Sequence, residues 1–159
     1  MAVKKQYRDI VRRATVASGA IGVPGALSFG LDVTAMSGVW VTMILAISDK
    51  SKHRVDKVFA TKLAAGVLAG VAAYVGGSKI AMGLLHLIPG AGTLAAMGVN
   101  SSLNALFTYK LGHALSNLFD KGEFDDSDVT NAIHALLTLI VGLPTWSEMS
   151  DLVALIREA

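Results

Sequence analysis

The residues able to act as bases, nucleophiles or metal ligands are few, and their spacing suits none of those tasks. His53, His86, His113 and His134 are scattered, with no HExxH and no pair at i, i+4 beside a carboxylate, so zinc chemistry lacks a ligand set. His53 falls in a basic loop where solvation is expected, and His86 and His113 fall on apolar helices, where buried donors are expected. The acidic run Asp120, Glu123, Asp125, Asp126 and Asp128 would attract a divalent cation, but its spacing fails the EF-hand loop. These acids read as solvated capping groups, with Asp128 or Ser127 opening the next helix. Gly90-Ala91-Gly92-Thr93 offers a glycine loop at a helix start, yet it follows an apolar helix and has no GK[ST]. Cysteine, GxSxG and SxxK are all absent. Asp32 is the one acid within residues 14–48, and an acid in apolar surroundings is by default a functional hypothesis. It reads either as the base of a lipid-directed enzyme or as the cap of a helix beginning near Val33. The cap is the better reading, because no nucleophile pairs with it. The chain is therefore read as non-enzymatic, with no catalytic residue, no cofactor and no metal.

Elements that would hold such groups are apolar and helical. Of 159 residues, 53% are hydrophobic and only 16% charged, against about 25% charged in a typical soluble domain. That composition argues against an ordinary soluble enzyme and excludes a disordered chain or a disulfide scaffold. Three stretches are nearly free of charge: 14–48 with only Asp32, 63–119 with only Lys79 and Lys110, and 129–147 with none. Each contains a proline, at Pro24-Gly25, Pro89-Gly90 (with Gly92 beyond) and Pro144, and each proline marks a helix boundary. The runs are rich in Ala, Leu and Met and lack period-2 alternation, which predicts helices near 3–22, 33–48, 55–76, 79–88, 92–119, 129–142 and 146–158. Thr145 and Glu148 form a capping box for the last of these. The fold class is all-α: glycine- and alanine-rich helical hairpins with Pro-Gly breaks, membrane-embedded or membrane-associated. One domain spans 1–159, divided into a basic amphipathic helix (1–13), an apolar hairpin core (14–119) and an acidic linker with a C-terminal hairpin (120–159). Gly66 and Gly70 form a GxxxG with Ala65, Ala69 and Ala73 beside it, and with Gly112 they are candidates for close helix packing.

Charge is distributed as a gradient. Residues 1–62 carry a balance of +6 and residues 120–159 a balance of −6. Lys4, Lys5, Arg8, Arg12 and Arg13 form one basic cluster, on a helix whose Tyr7, Ile10, Val11 and Ala14 share a face. Lys50, Lys52, Arg54 and Lys57 form another, with Lys62 beyond. Both clusters border apolar runs, a pattern of contact with anionic headgroups and not with nucleic acid, and they place both flanks of 14–49 on one side of a bilayer. The other reading of the first cluster is a helix packed on its own domain through Tyr7 and Ile10. Spans of 16–18 uncharged residues are short for a bilayer crossing, so the hairpins either span a thinned bilayer or dip into one leaflet. Asp32 and Lys79 are candidate buried polar groups.

Leu87-Ile88-Pro89-Gly90-Ala91-Gly92-Thr93, followed by Thr108-Tyr109-Lys110-Leu111-Gly112-His113-Ala114, resembles the YcjF-type bacterial membrane-associated domain of unknown function. The earlier Pro24-Gly25-Ala26, Asp32 and Met43 fit the same pattern, and the match covers residues 14–120. The resemblance implies a helical module at the bacterial inner membrane, often encoded beside or fused to Era-like or dynamin-like GTPases, and carries over no catalytic residues. The expected function is a non-enzymatic membrane-associated module that recruits or regulates a partner, with a GTPase as the implied partner. The alternative is a homo-oligomeric membrane scaffold or pore built from the glycine-rich helices.

Overall fold

A computed structural model of the chain describes residues 2–21, 29–77 and 99–158, with 29–33, 76–77 and 99–101 described by backbone alone. All regular structure among the described residues is helical: α1 (Lys5–Ile21), α2 (Phe29–Ser51), α3 (Lys57–Gly77), α4 (Val99–Lys121), α5 (Val129–Ile140) and α6 (Trp146–Arg157). The expected helix at 79–88 lies outside these residues, as do Pro24, Gly25, Lys79, His86, Pro89, Gly90 and Gly92. Asp32 falls inside α2, which already runs from Phe29, so the expected cap position before Val33 is corrected. Its side chain is not among those described.

Helix α1 is amphipathic, and its Tyr7, Val11 and Ala14 are buried against α4 and α2. It runs antiparallel to α4: Lys4 meets Asp120 at one end and Ser18 meets Thr108 further along. Helices α2 and α3 form a hairpin on that pair, and α5 closes the bundle between α3 and α4. Helix α6 then crosses back onto α1 and α4. One continuous core results, with Trp40, Met43, Leu63, Tyr109, Leu115 and Leu136 among its fully enclosed side chains.

Local chemistry explains where the later helices stop and start. Past the end of α4, Gly122 adopts φ +68° while its N–H bonds the Phe119 carbonyl and the Glu123 N–H bonds that of Leu118. This is a Schellman closure, which places a glycine where an L side chain would be strained. Asp128 caps α5 by accepting from the Thr130 and Asn131 N–H groups. Thr145 and Glu148 form the capping box of α6, directly after Pro144.

Candidate functional site

Opposite ends of the sequence meet at one flank of the bundle. Arg8 of α1 donates from Nη1 to Asp151 Oδ1 of α6 at 2.8 Å and from Nη2 to Glu158 at 2.8 Å. The other oxygen of Asp151 accepts from the Tyr109 hydroxyl at 2.8 Å and from the Val3 N–H at 3.1 Å. Burial raises the Asp151 pKa, but the hydrogen bonds from Arg8, Tyr109 and Val3 outweigh it and leave the carboxyl below its ordinary value. Burial first, and then the bond to Asp151, push the Tyr109 hydroxyl well above the usual phenol range, so it stays a donor. Lys4 pairs with Asp120, which also accepts from Gln6, while Arg12 reaches both Asp9 and the Glu158 carbonyl. Arg13 pairs with Asp9.

The basic loop after α2 is similarly tied. Ser48 Oγ donates to the His53 carbonyl and accepts from the Val55 N–H, which closes the turn. His53 is half-buried, not solvated as expected: its ring stands edge-on to Phe119 and Phe124, and Nε2 lies 3.3 Å from Asp126. Phe119 and Phe124 themselves stack at 4.2 Å. The aromatic pair anchors the loop, so Lys50, Lys52, Arg54 and Lys57 project outward around it as exposed groups. Arg54 pairs with Asp49 at 3.4 Å.

Glycines bring the apolar helices into close approach within the chain. Gly66 and Gly70 of α3 lie under Ile133 and Leu137 of α5; a Cβ at Gly70 would stand 2.5 Å from Leu137 Cδ1. Gly112 of α4 faces Val11 and Met43, with 2.8 Å from a Cβ there to either Val11 methyl. Deeper still, Trp40 Nε1 donates to Thr108 Oγ1 (2.8 Å), Thr108 donates to Ser18 Oγ (2.7 Å), and Ser18 donates to the Ala14 carbonyl (2.7 Å). This buried chain of hydroxyls joins α2, α4 and α1 and satisfies each polar group in turn.

Hollows open on the surface among the described residues. A groove of about 590 Å³ lies between α1 and α2, where Ala17, Ala35, Gly38 and Ala46 leave room, with Asp9 and Arg13 at one margin. A cleft of about 320 Å³ runs beside α4 toward the α5–α6 turn, lined by Lys110, His113, Asn117, Lys121, Glu123 and Glu148. Lys110 is buried and donates to the Gly142 carbonyl at 3.1 Å. Burial lowers its pKa, offset in part by Glu148. Among the described residues no group of three or more His, Asp or Glu is arranged to hold a metal ion.

Polarity is split along the bundle axis. The described charged side chains lie on α1 up to Arg13, on residues 49–62, on α4 from Lys110 onward, and beyond. Because α1 and α4 are antiparallel and α2 and α3 form a hairpin, these positions share one end. The opposite halves of the four long helices carry no described charged side chain. Helix α3 shows the consequence most clearly. Its Lys57–Val75 stretch is, among the described residues, the one long and apolar enough to cross a membrane, and only 33% of its apolar window is buried. Ala65, Ala69 and Ala73 face outward from it. Sequence reasoning picks out Gly66, Gly70 and Gly112 and the two basic clusters. It misses Asp151, Tyr109 and Glu158, whose only sequence signal is the equal and opposite charge of the two ends.

No protein-family model matches the chain, and neither a curated protein nor a solved structure shows significant similarity to it.

Proposed function

We propose that this chain is a non-enzymatic helical module that seats in a lipid bilayer the end bearing no described charged side chain and presents its charged end to water, where it recruits or regulates a partner. The carrying observation is the axial split: in the half of the bundle that bears no described charged side chain, the apolar helix α3 leaves Ala65, Ala69 and Ala73 exposed along one outward face. A helix apolar on all sides is normally enclosed by protein or by lipid. The charge-free length supports the same reading. Leu63 to Gly77 of α3 spans about 22 Å and Val99 to Tyr109 of α4 about 16 Å, enough to fill one leaflet of a hydrocarbon core about 30 Å thick. Lys57 stands about 8 Å along α3 from Lys62, so the exposed loop cations lie within a Debye length of a bilayer surface at that level. The bacterial inner membrane as location and a GTPase as partner rest on the sequence resemblance. The many cations already neutralised by the chain's own acids make the apolar end, and not the charge, the holding element.

Vesicle flotation tests this. The protein should rise with anionic vesicles, stay bound in 1 M salt, and lose binding when Ala69 is replaced by Lys on the outward face of α3. A wild-type protein that remains a dispersed monomer at the bottom of the gradient overturns the reading. Capture from membranes with the module as bait, with GTP or GDP added, addresses the partner: repeated absence of any nucleotide-dependent protein removes that part.

A further inference from the structure

We infer that the α5–α6 turn is the headgroup-level anchor of the module, with Leu139, Leu143 and Trp146 as its lipid contacts. The inference rests on the membrane reading above and adds an orientation and a depth to it. Among the described residues, the large hydrophobic side chains most open to solvent are Val58, Leu139, Leu143 and Trp146, and three of these four fall within eight residues of chain at this turn. Trp146 is 67% exposed at the very start of α6. An indole, large and apolar with one N–H donor, suits the boundary between hydrocarbon and water better than either phase alone.

The turn also sits at the right height. The Gly142 carbonyl accepts from the Lys110 ammonium, which puts the backbone of the turn within one lysine side chain of that position on α4. Lys110 is where charge begins on α4, and Arg13 is where it ends on α1. The turn therefore marks the border between the charged and uncharged halves.

Charge at that border complements phosphate. The last charged residue before the uncharged half is a cation on three of the four long helices: Arg13 on α1, Lys62 on α3 and Lys110 on α4, with Asp49 in that position on α2. The Arg13 side chain is 77% exposed and Lys62 is exposed as well, so both can extend toward headgroups from stems lying along the apolar flank. Exposed Lys62 and Arg13 (the latter shared with Asp9) at the border of the halves, and an exposed tryptophan with two leucines at the turn, fit an anionic lipid surface.

Fluorescence tests the assignment directly, because the chain has two tryptophans and Trp40 is fully buried. The difference between wild type and Trp146→Phe isolates the emission of Trp146. With vesicles of phosphatidylethanolamine and phosphatidylglycerol, that emission should move to the blue. It should be quenched more by lipids spin-labelled near the headgroup than by lipids labelled at the chain end. Leu143→Ser combined with Trp146→Ser should lower vesicle partitioning by at least about tenfold while leaving the urea midpoint unchanged. A protein that floats with vesicles while Trp146 keeps its water-exposed emission overturns the anchor and leaves the membrane reading standing. Failure to float overturns both. A blue shift that grows with protein concentration in the absence of lipid overturns the anchor in favour of a second copy.

Discussion

Arg8 and Asp151, 143 residues apart in sequence, face each other at 2.8 Å across the α1–α6 contact. The pair organises its surroundings, because the remaining Asp151 oxygen holds Tyr109 and the backbone of Val3. Asp151→Ala removes the acceptor common to three donors. It should lower stability by about 2–3 kcal/mol in urea denaturation, below the 3–5 kcal/mol of a fully buried pair because Arg8 remains 22% exposed. Tyr109→Phe should cost about 1 kcal/mol, the loss of one hydrogen bond.

The same carboxylate sets an acid dependence. Its folded-state pKa lies below the ordinary 3.8, so the native state binds fewer protons than the unfolded state as pH falls through this range. The stability it contributes is complete above about pH 4 and disappears as pH drops through the lowered value. Urea midpoints of the wild type should therefore decline below pH 4. In Asp151→Asn the decline should be shallower, and an identical pH profile for the two proteins would contradict the assignment.

Two glycines with opposite surroundings should respond oppositely to alanine. At Gly112 a Cβ would press on both methyls of Val11, a stiff β-branched side chain, and Gly112→Ala should destabilise by about 1–3 kcal/mol. At Gly38 nothing lies within 4 Å of a Cβ, and Gly38→Ala should stabilise α2 by up to about 1 kcal/mol. Thermal melts of the two variants, read side by side, check the contrast.

Two buried threonines make a second matched pair. Thr108 receives the Trp40 indole N–H and donates to Ser18, so Thr108→Val leaves the indole N–H unpaired and removes the donor to Ser18, which keeps its bond to the Ala14 carbonyl; it should cost about 1–3 kcal/mol. Thr15 is fully buried, and its Oγ1 has no partner among the described residues. Thr15→Val should be neutral or slightly stabilising. A wavelength shift of Trp40 emission in Thr108→Val alone would confirm which hydroxyl the indole uses.

Features set by near neighbours in the chain are legible in the sequence itself. The Thr145–Glu148 capping box, the Asp128 cap and the helix boundaries near 5–21, 57–77 and 146–157 depend on residues within a turn of each other, and composition plus spacing reveals them. Tyr7, Ile10, Val11 and Ala14 likewise mark the buried face of α1, and three of the four are enclosed. What the sequence conceals is long-range. A run of five cations looks the same whether lipid phosphate or Asp120, Asp151 and Glu158 answers it, since charge alone does not name its partner. His53 reads as solvated because its company, Phe119 at the end of α4 and Phe124 and Asp126 in the loop beyond, arrives some 65–75 residues later. For Asp32, the helix begins earlier than the break at Pro24-Gly25 and the acid itself suggest, which takes it from the cap into the first turns.

The separation of polar and apolar contacts along the axis gives the two ends different chemical sensitivities. Lys4–Asp120 and Arg8–Glu158 are partly open to water, where mobile ions screen them. Van der Waals contact and the Trp40–Thr108–Ser18 relay hold the other half, and added electrolyte leaves these untouched. Concentrated salt should loosen the bundle like a fan held at its far tip, whereas a detergent that competes for the alanine and glycine faces should open it from the opposite side.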